Sequence, residues 1–300
     1  MPVILGPTPN RRDFLRAVAL SAGAALAGGC AHFSAKRGPS QKAARWALLA
    51  DTHVTLDAKE VHRGFNIDDN VKKVVAQIVE AAPEGAVIAG DIARLQGKPE
   101  DYRMVIQLME PMISRMPVAL VLGNHDHRDN FFKAFPKRAG QPAPIKNKHT
   151  FIIETADLRL LMLDSLLTVN ETGGLLGKAQ RQWLEKYLDQ SDRRPTFLFL
   201  HHDLRDGDNS LLDADRFLKI ILPRKQVKAV FYGHTHVYKY ERIEGLHLIN
   251  LPAVGYNFSD KEPLGWLDAR LTAEGGDFTL RAFASNTKDN GKTTSLAWRG

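Results

Sequence analysis

The chain has 300 residues, 44% hydrophobic and 25% charged, which fits a folded protein and excludes a disordered, collagen-like or multi-span membrane chain. Its single cysteine, Cys30, excludes an intramolecular disulfide framework. The formal net charge of +7 is a mild excess that suits an anionic substrate or surface. With no dense basic run and no basic stripe interleaved with aromatics, nucleic-acid binding is not expected.

Residues 10–16 read Asn-Arg-Arg-Asp-Phe-Leu-Arg, and residues 17–27 are apolar and rich in Ala. A basic front, a short apolar middle and small residues after it form an export pattern. The apolar part is too short and too Ala-rich to span a bilayer comfortably. Arg11-Arg12, followed by Phe14 and Leu15, resembles the twin-arginine signal of bacteria, with Asn10 for the usual Ser/Thr and Arg16 for the usual Lys. Cys30 follows Ala27-Gly28-Gly29 and resembles a lipobox, although Leu26 stands one position early. A plain signal-peptidase cut after Ala27 or Ala31 fits the small-residue rule equally. Residues 1–30 are therefore expected to address the chain to the twin-arginine export machinery, with membrane attachment if Cys30 is lipidated. Residues 31–42 are expected to be a flexible linker. The expected location is the periplasm or the outer side of the membrane.

From there strands and helices alternate. Arg45–Ala50 is an apolar run ending in Asp-Thr-His. Asp68–Ala82 carries apolar residues at helical spacing, with Asn66 or Asp68 to cap it and Pro83 to stop it. Ala86–Ala89 is a second buried run, ending in Gly90-Asp91. Glu100–Met112 is an amphipathic helix with Pro99 at its start. Val118–Leu122 ends in Gly-Asn-His-Asp. Phe151–Glu154 and Leu158–Leu163 read as an antiparallel pair. Lys178–Gln190 is helical, Thr196–Leu200 ends in His201-His202, and Leu211–Leu222 is helical again. Val227–Tyr232 ends in Gly-His-Thr-His. Tyr238–Ile243 and Leu246–Leu251 form a hairpin around Glu-Gly, and Asp268–Leu271 and Phe278–Ala284 a last strand pair. The spacing predicts one domain over residues 43–284 and a loose polar tail over 285–300.

Five apolar runs thus end in Asp, Asn or His: Asp51/His53, Asp91, Asn124-His125-Asp126, His201-His202 and His234/His236. In open α/β sheets ligands bind outside the carboxyl ends of strands. Carboxylate, imidazole and amide oxygen together favour borderline divalent metals over a soft thiolate site. Asp51 and His53, and likewise His234 and His236, are two apart and are expected to share one face of an extended segment. Asp91 has two oxygens with which to bridge two ions. Each cluster alone has a plainer reading: Asp-x-His as a cap beside a solvated His, Gly-Asp as a turn, His201-His202 as core or surface histidines. The ordered set, each member directly after an apolar run, carries the force.

The set Asp51-Thr-His53, Gly90-Asp91, Gly123-Asn-His-Asp126, His201 and Gly233-His-Thr-His236 resembles the calcineurin-like metallophosphoesterases over residues 45–251. The resemblance implies an α/β fold, a β-sandwich flanked by helices, with a dinuclear site at one sheet edge. It places one metal on Asp51, His53, Asp91 and His236, and a second on Asp91, Asn124, His201 and His234. His201 is favoured over His202 as ligand because it comes first after its strand. His125 would act beside the scissile phosphate, oriented by Asp126. Arg128 and His202 are weaker candidates for substrate contact. The metals would be two divalent or mixed-valence ions, Fe, Mn or Zn. Two such cations neutralise a phosphate ester and generate a nucleophile from a bridging water. No Tyr stands three residues past Asp91, which argues against a purple acid phosphatase. The segment around His127-Arg128 looks most like the bacterial cyclic-nucleotide and glycerophosphodiester phosphodiesterase branch. The expected substrate is a small phosphodiester. An exported phosphomonoesterase is the alternative, ahead of a nuclease or an inactive binding module of the same fold.

Overall fold

The computed structural model describes residues 4–5, 43–136 and 140–300. The expected linker, Cys30 and nearly all of the expected signal lie outside them. After the two-residue strand β1 (Ile4–Leu5) come β2 (Ala44–Leu49), β3 (Val61–His62), β4 (Phe65–Asn66) and helix α1 (Ile67–Ala81). Asn66 caps α1 by accepting from the Asp69 N–H, and Ala82 ends it in the left-handed region before Pro83. Strand β5 (Gly85–Ala89), helix α2 (Pro99–Ile113), strand β6 (Val118–Val121) and helix α3 (Arg128–Ala134) follow. Then come β7 (Gln141–Pro142), β8 (Phe151–Glu154), β9 (Arg159–Met162), α4 (Lys178–Gln190), β10 (Thr196–Phe199) and α5 (Ala214–Ile221). The chain ends in β11 (Val227–Tyr232), β12 (Lys239–Ile243), β13 (Leu246–Asn250), β14 (Pro263–Leu271), β15 (Gly275–Ser285) and β16 (Thr293–Ala297).

Two seven-stranded sheets result, ordered β1-β6-β5-β2-β14-β15-β16 and β12-β13-β11-β10-β9-β8-β7. In the first, β2, β5 and β6 are parallel; in the second, β9, β10, β11 and β13 are parallel. Period-two alternation decides the layers. Trp46 and Leu48 of β2 join Phe197, Phe199 and Phe231 in the core between the sheets. Ala47 and Leu49 point the other way, onto α1 and α2. Leu198 and Val230 point outward onto α4 and α5. Phe199 and Phe231 stack with centroids 4.8 Å apart, and burying each ring contributes roughly 1.5–3 kcal/mol. The architecture is helix, sheet, sheet, helix, as the resemblance implied.

The carboxyl end differs from the expectation. Residues 285–300 are not a loose tail. Strand β16 adds to the edge of the first sheet, and the buried Arg299 donates to the carbonyls of Ile221, Leu222, Arg224 and Val227. The run Thr-Thr-Ser-Leu-Ala is too polar to read as a strand because half of it faces solvent. The α5 helix begins at Ala214 rather than Leu211, and the small β3–β4 hairpin carries no apolar signal of its own.

Candidate metal centre

Strands β2, β5, β6, β10 and β11 run so that their carboxyl ends meet at one edge of the two sheets. Each hands the chain to a loop bearing the expected polar residues. The loops do not continue the strands. Asp51, His53, Asp91, His234 and His236 all have positive φ, five of eleven such non-glycine residues among those described. The expectation that Asp51/His53 and His234/His236 share a face of an extended segment is therefore corrected: left-handed turns, not strand alternation, aim these side chains. Backbone bonds hold the turns, Asp51 N–H to Gly90 O (3.1 Å), His53 N–H to Asp91 O (2.9 Å) and Gly255 N–H to Asp51 O (2.9 Å). A Cβ on Gly123 would strike the Asp91 carboxylate and one on Gly233 the Asp51 carboxylate. The glycines of the motifs are thus there to let the loops close on each other.

Three ligand sets result: Asp51, His53 and His236; His53, Asp91 and His125; and Asp91, His201 and His234, the donor atoms of each within 4.8 Å of one another. Asp91 belongs to two of the three, between the two halves. Asn124 joins the second half, its Oδ1 3.2 Å from His201 Nε2. Every inward imidazole is fixed from outside by a backbone carbonyl. His53 Nδ1 faces Arg94 O (3.4 Å), His125 Nδ1 Leu95 O (3.0 Å), His201 Nδ1 Ala89 O (2.9 Å) and His236 Nδ1 Tyr256 O (2.6 Å). His234 uses Nε2, against Asn209 O (2.8 Å). The nitrogens left over point into the centre without protons in the neutral form. His53 Nε2 and His236 Nε2 stand 3.1 Å apart, an approach a cation between them would stabilise.

The charges agree with that donor set. Burial pushes Asp91 up, but His201, His53 and His125 outweigh it and hold the carboxyl well below its usual range. Burial opposes a proton on His201, yet Asp91 raises that imidazole to about 9. Burial lowers His53 to about 3 despite Asp91. Anionic carboxylates beside His53 and His234, whose protons burial opposes, suit a divalent cation, and the His201 proton stands where a cation's charge would. Nitrogen and oxygen donors without sulfur fit Fe, Mn or Zn.

Three expectations change. Asp126 does not touch His125. Its carboxylate accepts from the N–H groups of Gly123 (2.9 Å), Ile92 (3.1 Å) and Ala93 (3.1 Å) and from Tyr102 O–H (3.2 Å). It ties the Asp91 loop to the Asn124 loop. Arg128 faces inward onto the buried Asp164 (2.7 and 2.8 Å) and the Leu166 carbonyl, not into the mouth. His202 is fully buried, with Nδ1 on Ser165 Oγ (2.8 Å) and its ring 4.8 Å from that of His234. It packs the second half from behind. Sequence reading missed Ser165, which also accepts from His201 N–H (3.3 Å), and the aromatic pair Tyr256 and Phe258, whose rings lie 4.7 and 4.6 Å from His236. Ser165 follows an apolar run but, like the two aromatics, is not one of the Asp, Asn or His residues that mark the other strand ends.

Comparison with known proteins agrees with this geometry. The family model for calcineurin-like phosphoesterase matches residues 44–238. The glycerophosphodiester phosphodiesterase GpdQ of Enterobacter lignolyticus is 26% identical over 229 residues, 72% of this chain and 81% of its own. The cyclic adenosine monophosphate phosphodiesterase CpdA of Haemophilus influenzae is 26% identical over 246 residues, 76% of this chain and 85% of its own. Among solved structures, a dimetal phosphatase from Danio rerio superposes with a TM-score of 0.66 at 15% identity, covering 85% of this chain and 99% of that one, a likeness of fold.

Proposed function

Because this chain belongs to the calcineurin-like phosphoesterase family, a family of dimetal hydrolases, we propose that it cleaves small phosphodiesters with Asp51, His53, Asp91 and His236 holding one ion and Asp91, Asn124, His201 and His234 the other. When bound, the ion pair supplies charge neutralisation and Lewis acidity. The residues do the rest. Asp91 sets the spacing of the two halves, and the backbone carbonyls fix each imidazole in its ligating tautomer. His125 Nε2 lies 4.0 Å from Asp91 Oδ2 and borders the centre. With Nδ1 held on Leu95 O, its Nε2 is the ring nitrogen turned toward the centre and toward a leaving alkoxide.

The observation that carries the diester reading is the state of the nearby cations. Arg94 is paired with Glu60 (2.9 Å), Arg128 with Asp164 (2.7 Å) and Arg205 with Asp203 (2.5 Å). None of these three motif-adjacent cations is left to meet the second charge of a monoester, and Arg63, which has no carboxylate partner among the described residues, lies over the Phe258 ring instead. The relatives named as phosphodiesterases support the same reading. The test is turnover of an aryl phosphodiester and the matching monoester by protein reconstituted with Mn, Zn or Fe. Higher kcat/KM for the diester is expected, and equal or better monoester turnover across a pH range overturns it in favour of a phosphomonoesterase.

For the amino terminus we propose a twin-arginine signal over residues 1–30, a linker over 31–42 and delivery to the periplasm, with Cys30 as a membrane anchor. The sequence pattern alone supports this. Replacing Arg11-Arg12 by Lys-Lys should leave precursor in the cytoplasm, and Cys30→Ser should release the protein from membranes. A Cys30→Ser protein that fractionates as before removes the anchor and leaves export standing.

A further inference from the structure

The mouth of the centre is lopsided. On the side of Asp51, His53 and His236, the buried Tyr256 packs on both imidazoles at 4.8 and 4.7 Å, and Phe258 continues the surface outward, 55% exposed. The β3–β4 hairpin rises beside them and turns at Arg63-Gly64, both with positive φ. Two successive left-handed residues make the tight turn whose twist suits a hairpin. Arg63 at that tip lays its guanidinium over the Phe258 ring, 4.7 Å from the centroid. Among the described residues it has no carboxylate partner, unlike Arg94, Arg128 and Arg205. The opposite lip, from residues 167–174 and 205–212, holds no aromatic residue; Thr172 and Asn209 hydrogen-bond to each other there at 2.6 Å.

Arg63 is exposed and its guanidinium lies over one ring, and guanidinium planes stack on aromatic faces. We infer that Arg63 and Phe258 form a specificity shelf on the His236 side of the mouth that receives a flat, aromatic arm of the phosphodiester in preference to an open alkyl arm. The inference rests on the phosphodiesterase reading and goes beyond it by naming the residues that select an arm. Phe258 acts as the positioning residue: it holds the guanidinium plane, while Arg63 meets the substrate. Arg63 offers charge as well as a plane, so the test separates the two.

The test compares bis(para-nitrophenyl) phosphate with methyl para-nitrophenyl phosphate, which share a leaving group and differ in the arm retained. The readout is the aryl-to-methyl ratio of kcat/KM, in which metal loading and leaving-group chemistry cancel. Arg63→Ala and Phe258→Leu should each lower that ratio about tenfold, the scale of one lost stacking contact, with metal content unchanged. Arg63→Lys keeps the charge and loses the plane, so it should also lower the ratio. If the wild type turns over both diesters and the ratio is the same in Arg63→Ala and Phe258→Leu, the shelf is refuted while the phosphodiesterase reading stands. A ratio lost in Arg63→Ala but kept in Arg63→Lys refutes stacking and makes Arg63 a plain charge. A wild type that turns over neither diester removes both readings.

Discussion

Replacing Asp126 with Asn tests whether this carboxylate builds the centre or takes part in catalysis. It accepts four hydrogen bonds, two on each oxygen: Oδ1 from Ala93 N–H and Tyr102 O–H, Oδ2 from Gly123 and Ile92 N–H. An amide keeps one oxygen and turns an NH₂ group toward one pair of donors. In the better orientation Tyr102 rotates its hydroxyl to accept, and Ala93 N–H is stranded in a buried site. A lost charge-assisted bond costs about 1.5–3 kcal/mol and a stranded donor about 1–3 kcal/mol more. Part of that is offset, since burial and the neighbouring Asp91 already raise Asp126 to about 6 and a neutral amide is free of both penalties. The net loss should be about 2 kcal/mol, or about 4–8 °C in Tm for a domain of this size. Thermal unfolding of metal-loaded protein, with metal content measured in parallel, should show the Tm drop and weakened metal retention together. Should Asp126→Asn keep its Tm and its metals but lose turnover by about a hundredfold, Asp126 orients His125 after all and the bracing role is wrong.

The remaining predictions concern the centre and its support. His125→Ala should lower turnover by roughly 10²–10⁴-fold with metal content near normal. The deficit should shrink for esters with good leaving groups, and an equal deficit on all esters would deny the acid role. Asp91→Asn should reduce metal content in both halves, since Asp91 lies between them; elemental analysis showing two ions retained would contradict the shared-ligand geometry. Burial opposes the Asp164 charge, but Arg128 and Lys148 hold its carboxyl below the usual range. Its folded-state value lies below the unfolded one, so its stabilisation is present above about pH 4 and is lost as pH falls further. The fall of Tm below about pH 4 should be shallower in Asp164→Asn, and an unchanged slope would count against it.

The strands that build the centre were legible because they are buried on both faces. Val118–Val121 and Thr196–Phe199 are continuous apolar runs that end at the motif residue. Strand β16 and the β3–β4 hairpin were not, because their side chains are exposed or half-buried and form no continuous apolar run, even though they pair with neighbouring strands. The cluster of candidate ligands was legible for another reason: each of its residues stands two to four past the end of a buried strand. What sequence cannot reveal is which neighbour a charge chooses. Arg128 stands two residues after Asp126, yet it pairs with Asp164, 36 residues on and buried at the end of β9. Lys148 joins them by donating to the carbonyls of Asp164, Leu166 and Leu175. A basic residue beside a catalytic motif reads as a substrate contact until the fold supplies a buried carboxylate with a stronger claim on it.

The five left-handed candidate ligands show how the centre trades stability for geometry. Each non-glycine residue in that region costs roughly 1–2 kcal/mol, so Asp51, His53, Asp91, His234 and His236 together carry about 5–10 kcal/mol. That is comparable to the whole stability of an ordinary domain. An extended strand would avoid the cost, but it would space Asp51 and His53 along one line and keep their donors from closing on His236 and Asp91. The turns bring the donors of Asp51, His53 and His236 within 4.8 Å of one another, and those of His53, Asp91 and His125 likewise. Local bonds offset the strain: His53 N–H and Val54 N–H each pair with the Asp91 loop at 2.9 Å, and His125 N–H donates to Asp91 Oδ1 at 2.9 Å. The strain and its compensation lie in the same few residues. The loops therefore have one well-braced arrangement, and a cation entering it meets donors already in place rather than a chain that must fold around it.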